Sequence, residues 1–193
     1  QLHGRETPEQ CRKLKAAGLA GAGISLDSLD KKKHDDLRRM EHAWDLAVEG
    51  MKNCINAGIR TQIHTTVMDW NAEEIEDIMD FAVKIGASAH HIFFLVPTGR
   101  GEEIVDQALG REEYEAILTR IMKKAATVPI EVKPTCAPQF MRVSEQMGQH
   151  LQGHVLEGAG GAVPQLQAVG GLVHRADRGH DVAVELLRAV GVL

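Results

Sequence analysis

Three times in its first half the chain spells the same junction: a run of helical periodicity ends at a glycine and an apolar run begins. The three are Ala17-Gly18-Leu19, Ala57-Gly58-Ile59 and Ile85-Gly86-Ala87. Glycine just past a helix end supplies the left-handed turn that closes the last helical carbonyls. The glycines stand 40 and 28 residues apart, which is too irregular for a solenoid but suits successive strand–helix units with loops of different length. Strands joined through helices run parallel, so this one feature predicts a parallel sheet covered by helices.

The helices and strands between the junctions fit that plan. Trp44, Val48, Met51 and Ile55 fall on one helical face, and Ile75, Ile78, Met79 and Ala82 on another. Asn71 followed by Glu74 resembles a capping box opening the second of these helices. Strands are expected at Gly21–Asp27, Arg60–Val67, Ala89–Val96 and Val128–Val132, with a helix over Glu112–Ala126 before the last. The fold class is therefore α/β. Beyond about Gly148 the character changes: no aromatic residue follows Phe140, glycine is frequent, and only Asp181–Val190 has an amphipathic helical pattern. We expect a boundary there, with residues 1–147 as the β/α body and residues 148–193 as an atypical glycine-rich tail of loops and one short helix.

Composition narrows the function. A net charge of −5, with acids interleaved among the basic residues, argues against a nucleic-acid partner. No apolar run approaches the roughly 20 residues that cross a bilayer, and the start lacks a signal layout, so the expected compartment is the cytoplasm, with no membrane. Cys11, Cys54 and Cys136 are widely spaced and form no C-x-x-C pair, so buried, inert thiols are the plain reading.

In parallel β/α proteins, ligand groups gather where strands end. The first strand ends Ile24-Ser25-Leu26-Asp27-Ser28, where two-residue alternation puts Ser25 and Asp27 on one face, a pairing suited to a sugar diol. On spacing alone, a turn cap by Asp27 or Ser28 is the commoner use. The second strand ends His64-Thr65-Thr66-Val67, offering an imidazole and a hydroxyl to one face, with a satisfied core histidine as the plain account. The third runs Leu95-Val96-Pro97-Thr98-Gly99-Arg100-Gly101, which lacks the P-loop pattern. His90 and His91 are adjacent in a strand, so they point to opposite faces and cannot share an ion. His150 and His154 have helical spacing but no third ligand.

Taken together, Gly23-Ile24-Ser25-Leu26-Asp27-Ser28-Leu29-Asp30, Ala43-Trp44 through Gly50-Met51-Lys52-Asn53 and Gly58-Ile59, and Phe93 through Gly101 resemble the radical SAM superfamily over roughly Thr7–Met147. Leu95–Gly101 followed by Thr135-Cys136-Ala137-Pro138-Gln139-Phe140-Met141-Arg142 is similar to its haem-modifying, NirJ-type branch of haem d1 biosynthesis. The resemblance implies a partial parallel (β/α) barrel, the later units of a (β/α)6 core. It implies S-adenosylmethionine (SAM) and a 4Fe–4S cluster as cofactors, a 5′-deoxyadenosyl radical, a tetrapyrrole substrate modified at its propionate side chains, and an electron donor as partner. It also reverses the preference at the first strand, setting Ser25 and Asp27 near the SAM ribose. His64 and Thr66 then face the same cavity, Leu95, Val96 and Pro97 lie along the adenine, and Arg100 meets a carboxylate of SAM or of a porphyrin, or else solvent.

Two departures stand beside the resemblance. The C-x-x-x-C-x-x-C loop that binds the family's cluster is absent, and Gly148–Leu193 contains no cysteine where the family has a cysteine-rich segment. Cys136 is a lone candidate ligand for an auxiliary cluster, which needs about four. Both departures suggest a gene fragment that is inactive by itself, with a changed reading frame near residue 150 as one origin of the tail. A peptide-modifying radical SAM enzyme and a non-catalytic remnant are the alternatives to a haem-pathway enzyme.

Overall fold

The computed structural model describes residues 6–95, 106–135, 137 and 143. In chain order they form α1 (Pro8–Ala16), β1 (Gly21–Ser25), α2 (Lys31–Arg38), α3 (Ala43–Asn56), β2 (Arg60–Val67), α4 (Ile75–Ile85), β3 (Ala89–Phe94), α5 (Arg111–Ala125) and β4 (Glu131–Thr135). The four strands make one parallel sheet in the order β1-β2-β3-β4. Each step to the neighbouring strand passes through helix, which is the expected partial β/α barrel.

Gly18, Gly58 and Gly86 carry φ of +95°, +74° and +86°, so the repeated junction is a left-handed turn at all three places. At the other end of α1, Thr7 accepts from the Gln10 N–H while Gln10 Oε1 accepts from the Thr7 N–H, with Pro8 in the first turn. The helix α2 escaped the periodicity reading because its sequence, Lys-Lys-Lys-His-Asp-Asp-Leu-Arg, buries one side chain only, His34. It starts where Asp30 Oδ1 accepts from the Lys33 N–H at 3.1 Å.

Two expectations are corrected. The last strand begins at Glu131, three residues later than the apolar run at Val128 suggested, because Thr127–Ile130 turn the chain out of α5 and only Val132 of the strand is buried. Asn71 and Glu74 do not cap α4. A single 3-10 turn, Ala72–Glu74, precedes the helix, and both polar side chains reach back to the β1–α2 connection instead. The tail from residue 148 and its helix at 181–190 lie outside the described residues.

The core fills the space between the sheet and the helices on one of its faces. Ile24, Ile63, Ile92 and Val132 from the strands, with Leu26 just past β1, meet Leu14, Met51, Ile78, Met79 and Leu118 from α1, α3, α4 and α5, all within a few percent of full burial. Each such side chain contributes on the order of 1.5–3 kcal/mol by leaving water, so this one face holds the body together.

Candidate cofactor site at the carboxyl edge of the sheet

Alternation along the strands divides the sheet into a covered face and an open one. Across the open face, Ser25, His64, His91 and Lys133 form one row, and Thr66, Phe93 and Thr135 form the next row toward the carboxyl edge. These side chains are half-buried, whereas their alternating neighbours Ile24, Ile63, Thr65, His90 and Ile92 are buried beneath the helices. Ser25, His64 and Thr66 therefore share a face, the arrangement that the family resemblance implied. His90 and His91 point to opposite faces for the same reason.

The two open-face imidazoles stack, with centroids 5.2 Å apart and planes 6° from parallel, and Phe93 closes on His64 at 5.4 Å. His64 pairs in register with Ser25, yet its ring occupies the space a Cβ on Gly23 would need, with Cε1 at 2.2 Å from that position. Its Nε2 lies 3.4 Å from Gln62 Oε1, and His91 Nε2 lies 3.9 Å from Glu131 Oε1. Both rings thus lean toward the amino end of the sheet, away from the edge where Thr66 and Phe93 sit. Burial pushes the pKa of each down to about 4, with mutual repulsion adding to it at His91, so both are neutral at pH 7. Glycine at position 23 is the residue that leaves room for this imidazole against the backbone of β1.

At the carboxyl edge the chain invests its polar groups in holding two strand ends together. Alternation would set Asp27 beside Ser25, but β1 ends at Ser25 and Asp27 is fully buried. Its Oδ1 accepts from the Thr66 N–H at 3.0 Å, and its Oδ2 accepts from Arg38 Nε at 2.9 Å and from Arg38 Nη2. The Asp27 N–H donates to His34 Nδ1 at 3.2 Å, which fixes the His34 tautomer with its proton on Nε2. Burial leads the downward shift of the His34 pKa, against the pull of Asp27. Asn71 Nδ2 donates to the carbonyls of Asp27 and Thr66 at 2.8 and 2.9 Å, while its Oδ1 accepts from the Met68 N–H. Glu74 accepts from the Ser28 hydroxyl at 2.6 Å, from the Leu29 N–H and from Lys33. Burial alone would raise the Glu74 pKa, and these donors together hold it below the usual carboxylate value.

This clamp of His34, Arg38, Asn71 and Glu74 around Asp27 was not legible in the sequence, since its contacts to residues 27–29 span 7 to 46 positions and share no spacing rule. The one available signal was Asn71-x-x-Glu74, which pointed to a cap. Leu95 follows β3 directly and is half-buried. Val96, Pro97, Arg100 and Cys136 lie outside the described residues. A cleft of about 400 Å³ lined by Lys33, Asp36, Leu37, Arg39, Trp70 and Gln107 opens beside α2, and none of its lining residues is on the open face.

The model of the radical SAM superfamily matches residues 2–82, covering α1, β1, α2, α3, β2 and most of α4. Over those residues the chain is similar to the radical SAM superfamily. It is 38% identical over 140 residues to the AdoMet-dependent heme synthase of Nitratidesulfovibrio vulgaris, covering 72% of this chain and 38% of that one. It is 37% identical over 143 residues to the AdoMet-dependent heme synthase of Methanosarcina barkeri, covering 74% and 40%. It is 30% identical over 122 residues to a probable GTP 3′,8-cyclase of Sulfurisphaera tokodaii, covering 63% and 38%. The chain thus spans well under half the length of these relatives.

Radical SAM proteins use SAM and a 4Fe–4S cluster, and the two groups fare differently against these residues. The open polar face ending in Thr66 is of a kind that can receive a nucleoside. The cysteines do not fit a cluster: Cys11 Sγ and Cys54 Sγ meet each other at 3.6 Å between α1 and α3, within the core on the covered side of the sheet. These two converge on each other, away from the carboxyl edge. Among the described residues no group of three or more His, Cys, Asp or Glu is placed to hold a metal.

Proposed function

We propose that the chain is the later β/α part of a radical SAM enzyme that modifies a tetrapyrrole side chain in haem biosynthesis. The observation that carries this reading is the match to two heme synthases over 140 and 143 residues, reaching well past the 81 residues that the superfamily model covers. SAM would supply a 5′-deoxyadenosyl radical for hydrogen abstraction from the substrate, with an electron donor as partner and the cytoplasm as the site of work. Among the described residues no helix is long and apolar enough to cross a membrane.

In this reading Ser25 and Thr66 face the ribose from neighbouring strands. Asp27 acts from behind them: by accepting the Thr66 N–H and anchoring Arg38, it sets the spacing of the two strand ends. The stacked His64 and His91 close the floor of the cavity as neutral, aromatic surfaces. Leu95, Val96 and Pro97 line the adenine, and Arg100 takes a carboxylate. A nucleotide substrate is the second reading, favoured by the similarity to the GTP cyclase.

The 193 residues alone hold no cluster and cleave no SAM in this proposal. Anaerobic reconstitution with iron and sulfide tests it, read by the cluster's visible absorbance and by 5′-deoxyadenosine. An empty, inactive protein is expected, and a stoichiometric cluster with SAM turnover would overturn the proposal. For the substrate, a longer protein containing this chain together with a C-x-x-x-C-x-x-C loop is to be incubated with SAM and either an iron porphyrin bearing propionates or GTP. Loss of mass from the porphyrin supports the first reading, and consumption of GTP alone replaces it with the second.

A further inference from the structure

The proposed chemistry leaves one pair of reactive groups unused. Cys11 on α1 and Cys54 on α3 are 43 residues apart in sequence, and their Sγ atoms lie 3.6 Å apart. Both side chains are fully buried. They are two of only three cysteines in the chain, drawn from different helices. Plain core packing asks for a small apolar side chain at each position and does not ask that both be thiols in contact. Among the described residues, the polar ties between this end of the chain and the α3 region include Lys15 Nζ donating to the Gly58 carbonyl at 2.6 Å and Asn53 Nδ2 to the Glu6 carbonyl at 2.9 Å. A covalent link here would change how firmly α1 is held.

We infer that Cys11 and Cys54 form a dithiol that a small disulfide oxidant converts to an internal disulfide, stapling α1 to α3. A disulfide sets its sulfurs about 2 Å apart, so the two must close by about 1.5 Å, which side-chain rotation with a small slide of α1 provides. The reaction proceeds by exchange. One thiol loses its proton and attacks the oxidant's S–S bond, forming a mixed disulfide and releasing one small thiol. The second thiol loses its proton, attacks the protein sulfur of that mixed disulfide and expels the other small thiol. The protein gives up two electrons and two protons, and the oxidant becomes two thiols.

Geometry also sets the pace. With both sulfurs sealed from solvent, the first step waits for α1 to lift, and burial pushes both thiol pKa values upward, which keeps the closed pair unreactive. The second step is intramolecular, with an effective concentration of millimolar or more, so the mixed disulfide does not accumulate. The device is a latch that sets slowly and then holds, on the side of the sheet away from the cofactor face.

The test uses the full 193-residue chain, shown to be folded by circular dichroism and treated with oxidised glutathione at mildly alkaline pH. Peptide mapping under non-reducing conditions should recover a Cys11–Cys54 cross-link, with a mass loss of about 2 Da and at least about tenfold less glutathione adduct on those two residues. The oxidised form should melt several degrees higher, about 4–8 °C, and return on reduction. In Cys11→Ala, Cys54 should accept glutathione without bridging and the rise in Tm should vanish. Separate glutathione adducts on Cys11 and Cys54, a bridge through Cys136, or a bridge that leaves Tm unchanged or lowers it would each overturn the inference. None of these results depends on radical SAM activity.

Discussion

The two faces of the sheet are made by the same strands and serve opposite ends. On the covered face Ile24, Ile63, Ile92 and Val132 lie within a few percent of full burial, and Thr65 is paired twice: its hydroxyl donates to the Leu26 carbonyl at 2.7 Å and therefore accepts from His90 Nε2 at 2.8 Å. On the open face Ser25, Gln62, His64, Thr66, His91 and Lys133 remain half-buried. The difference teaches where stability and function reside. A side chain moved off the covered face loses core, while one changed on the open face alters what the cavity can bind.

Mutation can break that comparison, and the largest effect is expected on the covered face. Ile63→Ala should cost about 3–4 kcal/mol in urea unfolding, because a fully buried side chain leaves a cavity that helices on a rigid sheet cannot fill. A loss below about 1 kcal/mol would show that this face is not the true core. Asp27→Ala comes next at about 2–3 kcal/mol, since it strands the Thr66 N–H and leaves Arg38, which is itself partly exposed, without its partner. In a longer, cluster-bearing enzyme the same change should weaken SAM binding by about 1–3 kcal/mol through the displaced Thr66. Unchanged SAM affinity would remove Asp27 from the site in either role.

Acid sharpens the contrast. Burial pushes His90 down to about 3 from 6.5, with His91 and His64 adding to it. The folded state thus refuses a proton that the unfolded chain accepts. Stability should be full above about pH 6.5 and fall as pH drops below it, by about 2 kcal/mol between pH 7.5 and 5 from His90 alone. His64 and His91, pushed down to about 4 by burial, add in the same direction. Urea midpoints across this range provide the measurement, and His90→Leu should flatten the slope. A flat profile in the parent would mean that these rings titrate freely in the folded protein. Gly23→Ala should cost about 1–2 kcal/mol, because a methyl would displace the His64 ring from the sheet. Thr66→Ala should cost least, under about 1 kcal/mol, while lowering SAM affinity in the longer enzyme. A large stability loss at Thr66 would blur the distinction between the faces.

Much of the covered face could be read in advance. The three glycine junctions, the strand at Arg60–Val67 and the helix faces through Met51 and Met79 all stand where periodicity put them. The open face was legible in part, since two-residue alternation put His64 and Thr66 on one face, while only the family resemblance set Ser25 with them. Alternation failed at Asp27 because it holds only while the strand lasts, and β1 stops two residues earlier. Asn71 and Glu74 misled for a related reason. Their types suit a helix cap, but the unpaired backbone groups of two strand ends and the α2 connection lay nearer and claimed them.

The amino-acid sequence by itself determined the α/β class, the parallel order of units and the absence of a C-x-x-x-C-x-x-C loop. Each of these follows from local periodicity, from glycine's access to positive φ, or from simple inspection of residue types. Only the tertiary structure decided that His64 fills the space beside Gly23, that Asp27 anchors Arg38 and Thr66, and that Cys11 meets Cys54. Those contacts join residues 11 to 43 positions apart, and no local rule sets which distant partner a buried polar or sulfur atom will find. The packing of helix on sheet sets it, because a buried donor or acceptor must be satisfied by whatever group the fold brings within reach.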